Sequence, residues 1–273
     1  MRIDLHLHTT CSDGIYSPTD VVKRAINNGL EIISFTDHDT DAAYQLIDAK
    51  EIKKYLNIIH GVEITANYRD TEIHILGYFK NGTSDKLQDF LNLIKNERVN
   101  RISEGIKNLR KHNINLSFDE LKEFNKGESI GRNHLANLLV ARGYATSIKE
   151  SFTLYLKDGL NIIPQLLTPV KDAIEIIQEN KGISVWAHPP RKLFDEFLPV
   201  FKEWGLQGIE AFNYRKTRSL SDYYCETAEK YNLFVTAGSD WHGFDDEIFP
   251  DKPFYHENIT DKFVNLFEGI KIC

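Results

Sequence analysis

Histidines and acidic residues in this sequence are grouped in short polar clusters, each in or directly after an apolar, strand-like run. Core packing alone does not produce this distribution, because imidazoles and carboxylates are costly to bury unless they are paired. The pattern predicts a polynuclear metal site built on the strands of a sheet. The clusters lie at residues 4–14, 36–39, 61–63, 73–75, 187–189 and 238–242.

The spacing of the apolar runs predicts an α/β fold with about seven strands. Strands are expected over residues 2–7, 31–36, 57–65, 72–79, 182–187, 208–212 and 233–237. Helices are expected over residues 18–28, 41–50, 170–180, 193–204, 219–231 and 261–268. The first helix has a clear start, because Ser17 suits the N-cap and Pro18 the first turn. This alternation indicates parallel strands with helical crossovers, and therefore a barrel.

Between residues 84 and 165 the strand signal fades, and helices are expected instead over 86–112, 118–124, 134–142 and 147–156. We interpret this stretch as a helical insertion that covers one end of the barrel. The predicted organisation is one catalytic barrel domain made of residues 1–83 and 166–273, with residues 84–165 inserted as a cap over the active site.

The formal net charge of −7 at pH 7 argues against a protein that coats nucleic acid, whose affinity would depend on a basic face. No apolar run approaches the roughly 20 residues that span a bilayer, and the N-terminus enters a strand at once. The cysteines Cys11, Cys225 and Cys273 are scattered and suggest no disulfide framework. These features predict a cytoplasmic protein with no membrane partner.

Parallel barrels carry their functional sites at the carboxyl ends of the strands, and every polar cluster is expected at such an end. His6 and His8 lie two residues apart on a strand and point to the same face, so they can bind one ion together. Carboxylates at Asp13, Glu63 and Asp240, set against about three divalent ions, would leave a pocket charge of roughly +3. Such a pocket suits a phosphate dianion, even in an acidic protein.

Seven motifs follow one another along nearly the whole chain: HLHTTCSDG, TDHDT, GVEI, HILGY, GRNH, AHP and GSDWHG. Their order resembles that of the PHP (polymerase and histidinol phosphatase) superfamily of metal-dependent phosphoesterases. The resemblance implies a distorted seven-stranded (β/α) barrel. The SDG ending and the Gly-Arg-x-His turn resemble the nucleotide phosphatase branch, whose members act on AMP-like compounds and nucleoside 3′,5′-bisphosphates. Close relatives in that branch trim RNA from the 5′ end.

The resemblance also implies a trinuclear metal centre. The first ion is expected at His6, His8, Glu63 and Asp240. The second is expected at Glu63, which bridges to it, and at His74 and His188. The third is expected at Asp13, His38 and His242. Imidazole and carboxylate ligands without thiolate suit manganese, with zinc or iron as alternatives, better than magnesium or calcium.

Two ions about 3.5–4 Å apart can share a water, lower its pKa from about 15.7 toward neutrality, and direct the resulting hydroxide at phosphorus. Glu63 and Asp240 are therefore expected to be catalytic as well as metal-binding residues. Arg132 is the best candidate to clamp a phosphate of the substrate, because its planar guanidinium can pair bidentately with phosphate oxygens. His134 is a candidate general acid and substrate contact.

Other polar and aromatic residues have roles that the sequence leaves open. Asp37 and Asp39 are expected to orient ligands or to cap a helix, and not to bind metal. Glu210 ends a strand and faces the site, or it only holds a neighbouring loop. Trp241 and Tyr214 are candidates to flank a base or a sugar.

The leading hypothesis is a metal-dependent phosphatase that hydrolyses phosphate monoesters of small nucleotides. A 5′-to-3′ exonuclease on short RNA or DNA would use the same chemistry, but the acidic balance favours a small substrate and no stable nucleic-acid complex. A histidinol-phosphate or sugar-phosphate phosphatase is a further alternative, although the histidine expected near Asp13 for histidinol phosphate is absent. Outside catalysis, a degenerate metal-binding module is disfavoured by the complete set of expected ligands.

Overall fold

The strands of the described residues form two sheets. The computed structural model describes residues 2–125, 129–213, 216–243, 254–255 and 261–267. The strands are β1 (Arg2–Leu7), β2 (Ile32–Phe35), β3 (Asn57–Ile58), β4 (His60–Tyr68), β5 (Thr71–Phe79), β6 (Ile183–Trp186), β7 (Gly208–Phe212), β8 (Phe234–Ala237) and β9 (Phe254–Tyr255). A four-stranded sheet has the order β3-β2-β1-β9, and a five-stranded sheet has the order β4-β5-β6-β7-β8.

The five-stranded sheet is mixed. β4 and β5 form an antiparallel hairpin, β6 pairs antiparallel with β5, and β6, β7 and β8 run parallel. The hairpin turn has Arg69 and Asp70 at φ 49° and 58°, the left-handed geometry of a two-residue turn whose twist matches that of the strands. The expectation of parallel strands throughout is therefore wrong here, because a two-residue turn reverses the chain and a parallel pair needs a long crossover.

The two sheets meet at their edges through isolated bridges. Leu7 at the end of β1 bridges Trp241 beyond β8, and His38 beyond β2 bridges Glu63 in β4. Within the four-stranded sheet, β1, β2 and β3 are parallel and β9 pairs antiparallel with β1. The mixed α/β class is confirmed. The seven-stranded barrel is not, because the strands in the described ranges form two sheets of which neither closes on itself.

Helices pack around these sheets. Their bounds are α1 (Pro18–Asn27), α2 (Ala49–Ile52), α3 (Asp85–Leu109), α4 (Phe118–Phe124), α5 (Arg132–Ala141), α6 (Ile148–Ser151), α7 (Val170–Glu179), α8 (Arg191–Glu203), α9 (Arg218–Lys230) and α10 (Asp261–Val264). The side chain of Ser17 accepts a hydrogen bond from Asp20 N, which confirms the expected N-cap of α1. The helix expected over 41–50 is a 3-10 turn at Ala42–Gln45 followed by α2. In the part of the chain that the structure describes, no helix is long and apolar enough to cross a membrane.

The long helix α3 belongs to two hydrophobic clusters. Its first half packs against the five-stranded sheet through Leu87, Leu91 and Ile94. Its second half packs with α4 and α5 in a separate cluster that includes Ile102 and Ile106. The boundary between barrel and insertion stays a prediction. The helix α3 contacts both regions, because its first half packs on the five-stranded sheet and its second half packs with α4 and α5.

Candidate metal centre and active site

The nine residues predicted as metal ligands form one contiguous cluster, which we call the ligand cluster. Its members are His6, His8, Asp13, His38, Glu63, His74, His188, Asp240 and His242. Glu63 and His74 lie inside the hairpin strands β4 and β5, which corrects the expectation that every polar cluster lies at a strand end. His74 pairs with Thr65, two residues from Glu63, so both face the same side of the hairpin.

Glu63 lies at the centre of the ligand cluster, with five histidines around its carboxylate. Its Oε1 lies 3.3 Å from His6 Nε2, 3.0 Å from His74 Nδ1 and 3.2 Å from His188 Nε2. Its Oε2 lies 3.3 Å from His8 Nε2 and 3.0 Å from His38 Nδ1. The two oxygens of this carboxylate therefore face different histidines.

Among the residues that the structure describes, three overlapping groups of ligand atoms could each hold a metal ion, and within each group the atoms lie within 4.8 Å of one another. The first group is His6, His8, Glu63 and Asp240, the set expected for the first ion. The second is Asp13, His38 and His242, the set expected for the third ion, joined by His8. The third is His38, Glu63 and His74. This third group differs from the set expected for the second ion, because it contains His38 in place of His188.

Several ligand atoms in this cluster are buried without a hydrogen-bond partner among the described residues. They are His6 Nε2, His8 Nε2, His38 Nδ1 and Glu63 Oε2. Leaving a buried polar atom unsatisfied costs about 1–3 kcal/mol, so four such atoms converging on one space indicate a missing electrophile. Nitrogen and oxygen donors of this kind fit a divalent transition metal.

The carboxylates of the cluster stay ionised although they are buried. Burial raises the pKa of Glu63, but the charges of His74, His6 and His38 outweigh it and hold that pKa well below its usual value. The pKa values of Asp13 and Asp240 are likewise held low by neighbouring histidines against the effect of burial. The ionised carboxylates supply the negative charge that would stabilise bound cations. Metal binding would also release protons from the histidines, since only a deprotonated ring nitrogen can bind a metal.

Carboxylates outside the cluster hold its ligands in place. Asp37 accepts hydrogen bonds from Thr9 N and Ser12 Oγ, which fixes the loop that carries Asp13. Asp39 accepts hydrogen bonds from Thr65 N and Oγ1 and turns away from the ligand atoms. Both contacts agree with an orienting role.

Glu210 combines the two roles that the sequence left open. Its Oε1 lies 2.8 Å from His6 Nδ1, which directs His6 Nε2 into the ligand cluster. Its Oε2 accepts a hydrogen bond from His188 N, which holds the loop beyond β6. Glu210 therefore positions two of the predicted ligands at once.

Residues of the ligand cluster line a pocket with a volume of ≈ 1070 Å³. Three arginines of the described residues line the same pocket, and we call them the arginine wall: Arg98, Arg101 and Arg132. Arg98 donates to Asp39 Oδ2 at 3.1 Å, and Arg101 donates to Glu72 Oε2 at 2.6 Å. Arg132, the predicted phosphate clamp, lies 2.7 Å from Glu72 Oε1 and 2.8 Å from Asp158 Oδ1. Each guanidinium is therefore already paired with a carboxylate.

Sequence reasoning did not single out Glu72, which is buried between two of these arginines and His74. Its Oε1 also lies 3.1 Å from His74 Nε2. The signal was present, because Glu72 and His74 are two residues apart on β5 and share a face, the same spacing from which His6 and His8 were predicted to bind together. What the sequence does not show is that the arginines of α3 and α5 reach this strand.

The Gly131-Arg132-Asn133-His134 turn ties the helical region to the loop of Asp13. Asn133 Nδ2 donates to Asp13 Oδ2 at 2.7 Å, and His134 Nε2 donates to Ser12 O at 3.0 Å. His134 Nδ1 accepts from Gly131 N, so both of its ring nitrogens are engaged. The role of His134 as a general acid and substrate contact stays a prediction, and a substrate that binds either nitrogen would have to replace one of these two bonds. Tyr214 lies outside the described residues.

Known proteins share the sequence and fold that surround this site. The family model for the PHP domain matches residues 4–183, which is more than half of the chain. The chain belongs to the PHP domain family. The resemblance predicted from the motifs is therefore confirmed.

Individual relatives of this PHP chain are hydrolases of phosphate esters. A 5′-3′ exoribonuclease of Haemophilus influenzae is 33% identical over 249 residues, which cover 88% of this chain and 90% of that protein. A 3′,5′-nucleoside bisphosphate phosphatase of Chromobacterium violaceum is 28% identical over 250 residues, which cover 88% of this chain and 87% of that protein. A solved structure from Bifidobacterium adolescentis, described as a metal-dependent phosphoesterase, has a TM-score of 0.81 and 26% identity, covering 97% of this chain and 94% of that chain. The expected assignment to metal-dependent phosphoesterases is confirmed.

Proposed function

We propose that this PHP protein is a nucleotide phosphatase that hydrolyses phosphate monoesters of nucleoside 3′,5′-bisphosphates and AMP-like compounds. The observation that carries the proposal is a single pocket lined both by residues of the ligand cluster and by the arginine wall. A site for cations beside guanidinium groups suits a substrate with phosphate at more than one position. The bisphosphate phosphatase of 28% identity supports the same substrate class.

The proposal places three divalent metal ions in the ligand cluster, with manganese favoured over zinc or iron and with Glu63 bridging two of them. Bound there, such ions supply Lewis-acid chemistry that activates water and neutralises phosphate oxygens. Asp240 belongs to the group around His6 and His8, and Asp13 to the group around His38 and His242. The buried, unsatisfied ligand atoms support this assignment.

Residues of the pocket wall would bind and orient the substrate. Although burial lowers it, the charges of Glu72 and Asp158 raise the pKa of Arg132, so this guanidinium is cationic at neutral pH. Asp158 is 33% exposed, so a phosphate can compete with it for Arg132 from the solvent side. Trp241 lines the pocket and stacks on Tyr16 with ring centroids 5.2 Å apart, which holds an aromatic surface beside a bound base or sugar.

A 5′-to-3′ exoribonuclease is the second candidate, and two observations favour it. The Haemophilus influenzae exoribonuclease is 33% identical to this chain. The pocket, at ≈ 1070 Å³, lies at the upper end of the roughly 300–1,000 Å³ of pockets for small ligands. A pocket of that size can accept a nucleotide that continues into a chain.

A substrate screen separates these candidates. Manganese-loaded protein should be assayed for phosphate release from adenosine 3′,5′-bisphosphate, AMP and histidinol phosphate, and for shortening of a 5′-phosphorylated oligoribonucleotide. The proposal expects the highest kcat/KM on the bisphosphate. Preference for the oligoribonucleotide would favour the second candidate. Absence of turnover on every compound would support the non-catalytic metal-binding module.

The metal assignment has its own test. Elemental analysis of protein purified without chelator should find at least two transition metal ions per chain, since roughly nine ligands are available for three sites. Fewer than one ion per chain, with no activity gained when manganese is added, would contradict the assignment.

A further inference from the structure

Glu72 is a buried carboxylate at the meeting point of the hairpin and the helical region. Its Oε1 lies 3.1 Å from His74 Nε2 and 2.7 Å from Arg132 Nη2, and its Oε2 accepts from Arg101 Nη1 at 2.6 Å. Its side chain is 9% exposed. One carboxylate thus joins a residue of the ligand cluster to two residues of the arginine wall.

The charge of Glu72 is fixed by these neighbours. Two guanidinium groups face its carboxylate, with Arg132 Nη2 2.7 Å from Oε1 and Arg101 Nη1 2.6 Å from Oε2. Glu72 therefore accepts hydrogen bonds from all three partners and donates none. A neutral residue of the same shape offers one acceptor oxygen instead of two and cannot serve three donors equally.

The contact with Glu72 gives the Nε2 proton of His74 an acceptor on the side away from Glu63. To donate to Glu72, His74 must carry a proton on Nε2, which leaves the lone pair of the neutral ring on Nδ1. His74 Nδ1 is the nitrogen that lies 3.0 Å from Glu63 Oε1. A carboxylate on the far nitrogen also makes the imidazole a stronger ligand.

The same oxygen fixes Arg132. Because Nη2 is bound to Glu72, the guanidinium is held at one edge, and Nη1 is bound to Asp158 and to Leu156 O. The side chain of Asp158 is 33% exposed, whereas that of Glu72, which also lines the pocket, is 9% exposed. Replacing Asp158 as a partner therefore leaves Arg132 in position as long as Glu72 remains.

We infer that Glu72 is a positioning residue that sets the ligand geometry of His74 and the position of Arg132 together. The inference rests on the proposed function for its second part, the position of Arg132 toward a substrate phosphate. Its first part concerns metal binding alone. If the role of Glu72 were purely structural, it would dock α3 and α5 onto β5 and would affect neither metal binding by His74 nor substrate binding by Arg132.

The decisive variant is Glu72→Gln, which keeps the size of the side chain and removes its charge. Affinity for manganese, measured by titration calorimetry on protein stripped of metal, should fall about 10–100-fold, the usual effect of removing a partner that orients a ligand. For the most active nucleotide, KM should rise and kcat should fall, because Arg132 and His74 are both released. Unchanged affinity and unchanged kcat/KM would overturn the inference.

Glu97→Gln is the matched control. Glu97 lies on α3 and accepts a hydrogen bond from Thr168 Oγ1 at 2.9 Å. This variant therefore also removes a carboxylate that links α3 to another segment of the protein, the one that leads into α7. It should leave metal affinity and kcat/KM unchanged, while both variants lower the midpoint of thermal unfolding. Equal loss of metal affinity in both variants would show that Glu72 acts only by docking the helical region.

A measurement on the unaltered protein does not depend on the stability of a variant. In zinc-loaded protein, long-range ¹H–¹⁵N spectra should show His74 protonated at Nε2, with Nδ1 as the ligand nitrogen. Ligation through Nε2 would overturn the inference. These spectra and the calorimetry test the role of Glu72 in metal binding without any measurement of activity. If no nucleotide were hydrolysed, that result would contradict the proposed function and would leave this test of Glu72 unaffected.

Discussion

The ligand cluster and the arginine wall line one pocket but are built in opposite ways. In the ligand cluster, buried atoms such as His6 Nε2 and Glu63 Oε2 have no hydrogen-bond partner in the described ranges. In the arginine wall, Arg98 is bound to Asp39 and Thr65, and Arg132 to Glu72 and Asp158. The first region is incomplete without cations, whereas the second is complete in the protein alone.

This difference indicates how each region should respond to substitution. Unsatisfied ligands cost stability and are useful only when metal binds, so their removal should affect catalysis more than folding. Paired arginines neutralise buried carboxylates, so their removal should affect folding as well. The four predictions that follow test this contrast, from the largest expected effect to the smallest.

Glu63→Gln should reduce kcat by roughly 10³ or more, since loss of one catalytic electrostatic group costs about 10²–10³ and Glu63 faces both sides of the cluster. The midpoint of thermal unfolding in metal-free protein should stay within a few degrees. The exposed Glu104→Gln, whose partner is Lys107, is the control. Near-normal kcat with metals retained would show that Glu63 does not bridge.

Arg98→Met should lower the free energy of unfolding by about 3–5 kcal/mol, because it leaves Asp39 buried without its counter-charge. Urea denaturation should give the same loss with and without manganese. The control is Arg142→Met, which breaks an exposed ion pair with Glu120 and should lower the free energy of unfolding far less, because solvent screens that pair. A loss seen only in metal-loaded protein would place Arg98 with the ligand cluster.

Arg132→Ala should reduce kcat/KM on a nucleoside 3′,5′-bisphosphate by roughly 2–4 kcal/mol, as expected when a charged partner is removed from a desolvated pair. The penalty should be smaller on p-nitrophenyl phosphate if Arg132 recognises a second phosphate. It should be equal on both, and on a 5′-monophosphate, if Arg132 clamps the phosphate that is cleaved. Unchanged kcat/KM on all three would make Arg132 a structural residue.

Asp41 provides a reference away from both regions. Burial raises its pKa, but hydrogen bonds from His60, Thr83 and Gln88 outweigh it and lower that pKa to about 2. A group of this kind stabilises the fold above its unfolded pKa, near 3.8, and loses that contribution as the pH falls through about 2. In metal-free protein, Asp41→Asn should lower the free energy of unfolding by about 2 kcal/mol at pH 6. The difference should shrink between pH 4 and pH 2, and a constant difference over that range would contradict the assignment.

Local features of the fold and of the ligand cluster followed from the sequence. The N-cap at Ser17, the strand that carries His6, and the family itself were predicted, because capping, side-chain alternation and ordered motifs are properties of neighbouring residues. The nine predicted ligands also came together. A common site for motifs that lie far apart was predicted from the strand ends of the expected barrel and from the family resemblance.

The tertiary structure decided what depends on distant parts of the chain. The hairpin of β4 and β5 reverses at Arg69 and Asp70, which carry no common turn signature, so its antiparallel pairing was missed. The hydrogen bond from His134 Nε2 to Ser12 O, 122 residues away, was not foreseen either. Glu72 was overlooked because its role depends on arginines from α3 and α5. A charged residue in a sequence shows that it can pair, and only the packed fold determines its partner, since burial makes that one contact strong enough to matter.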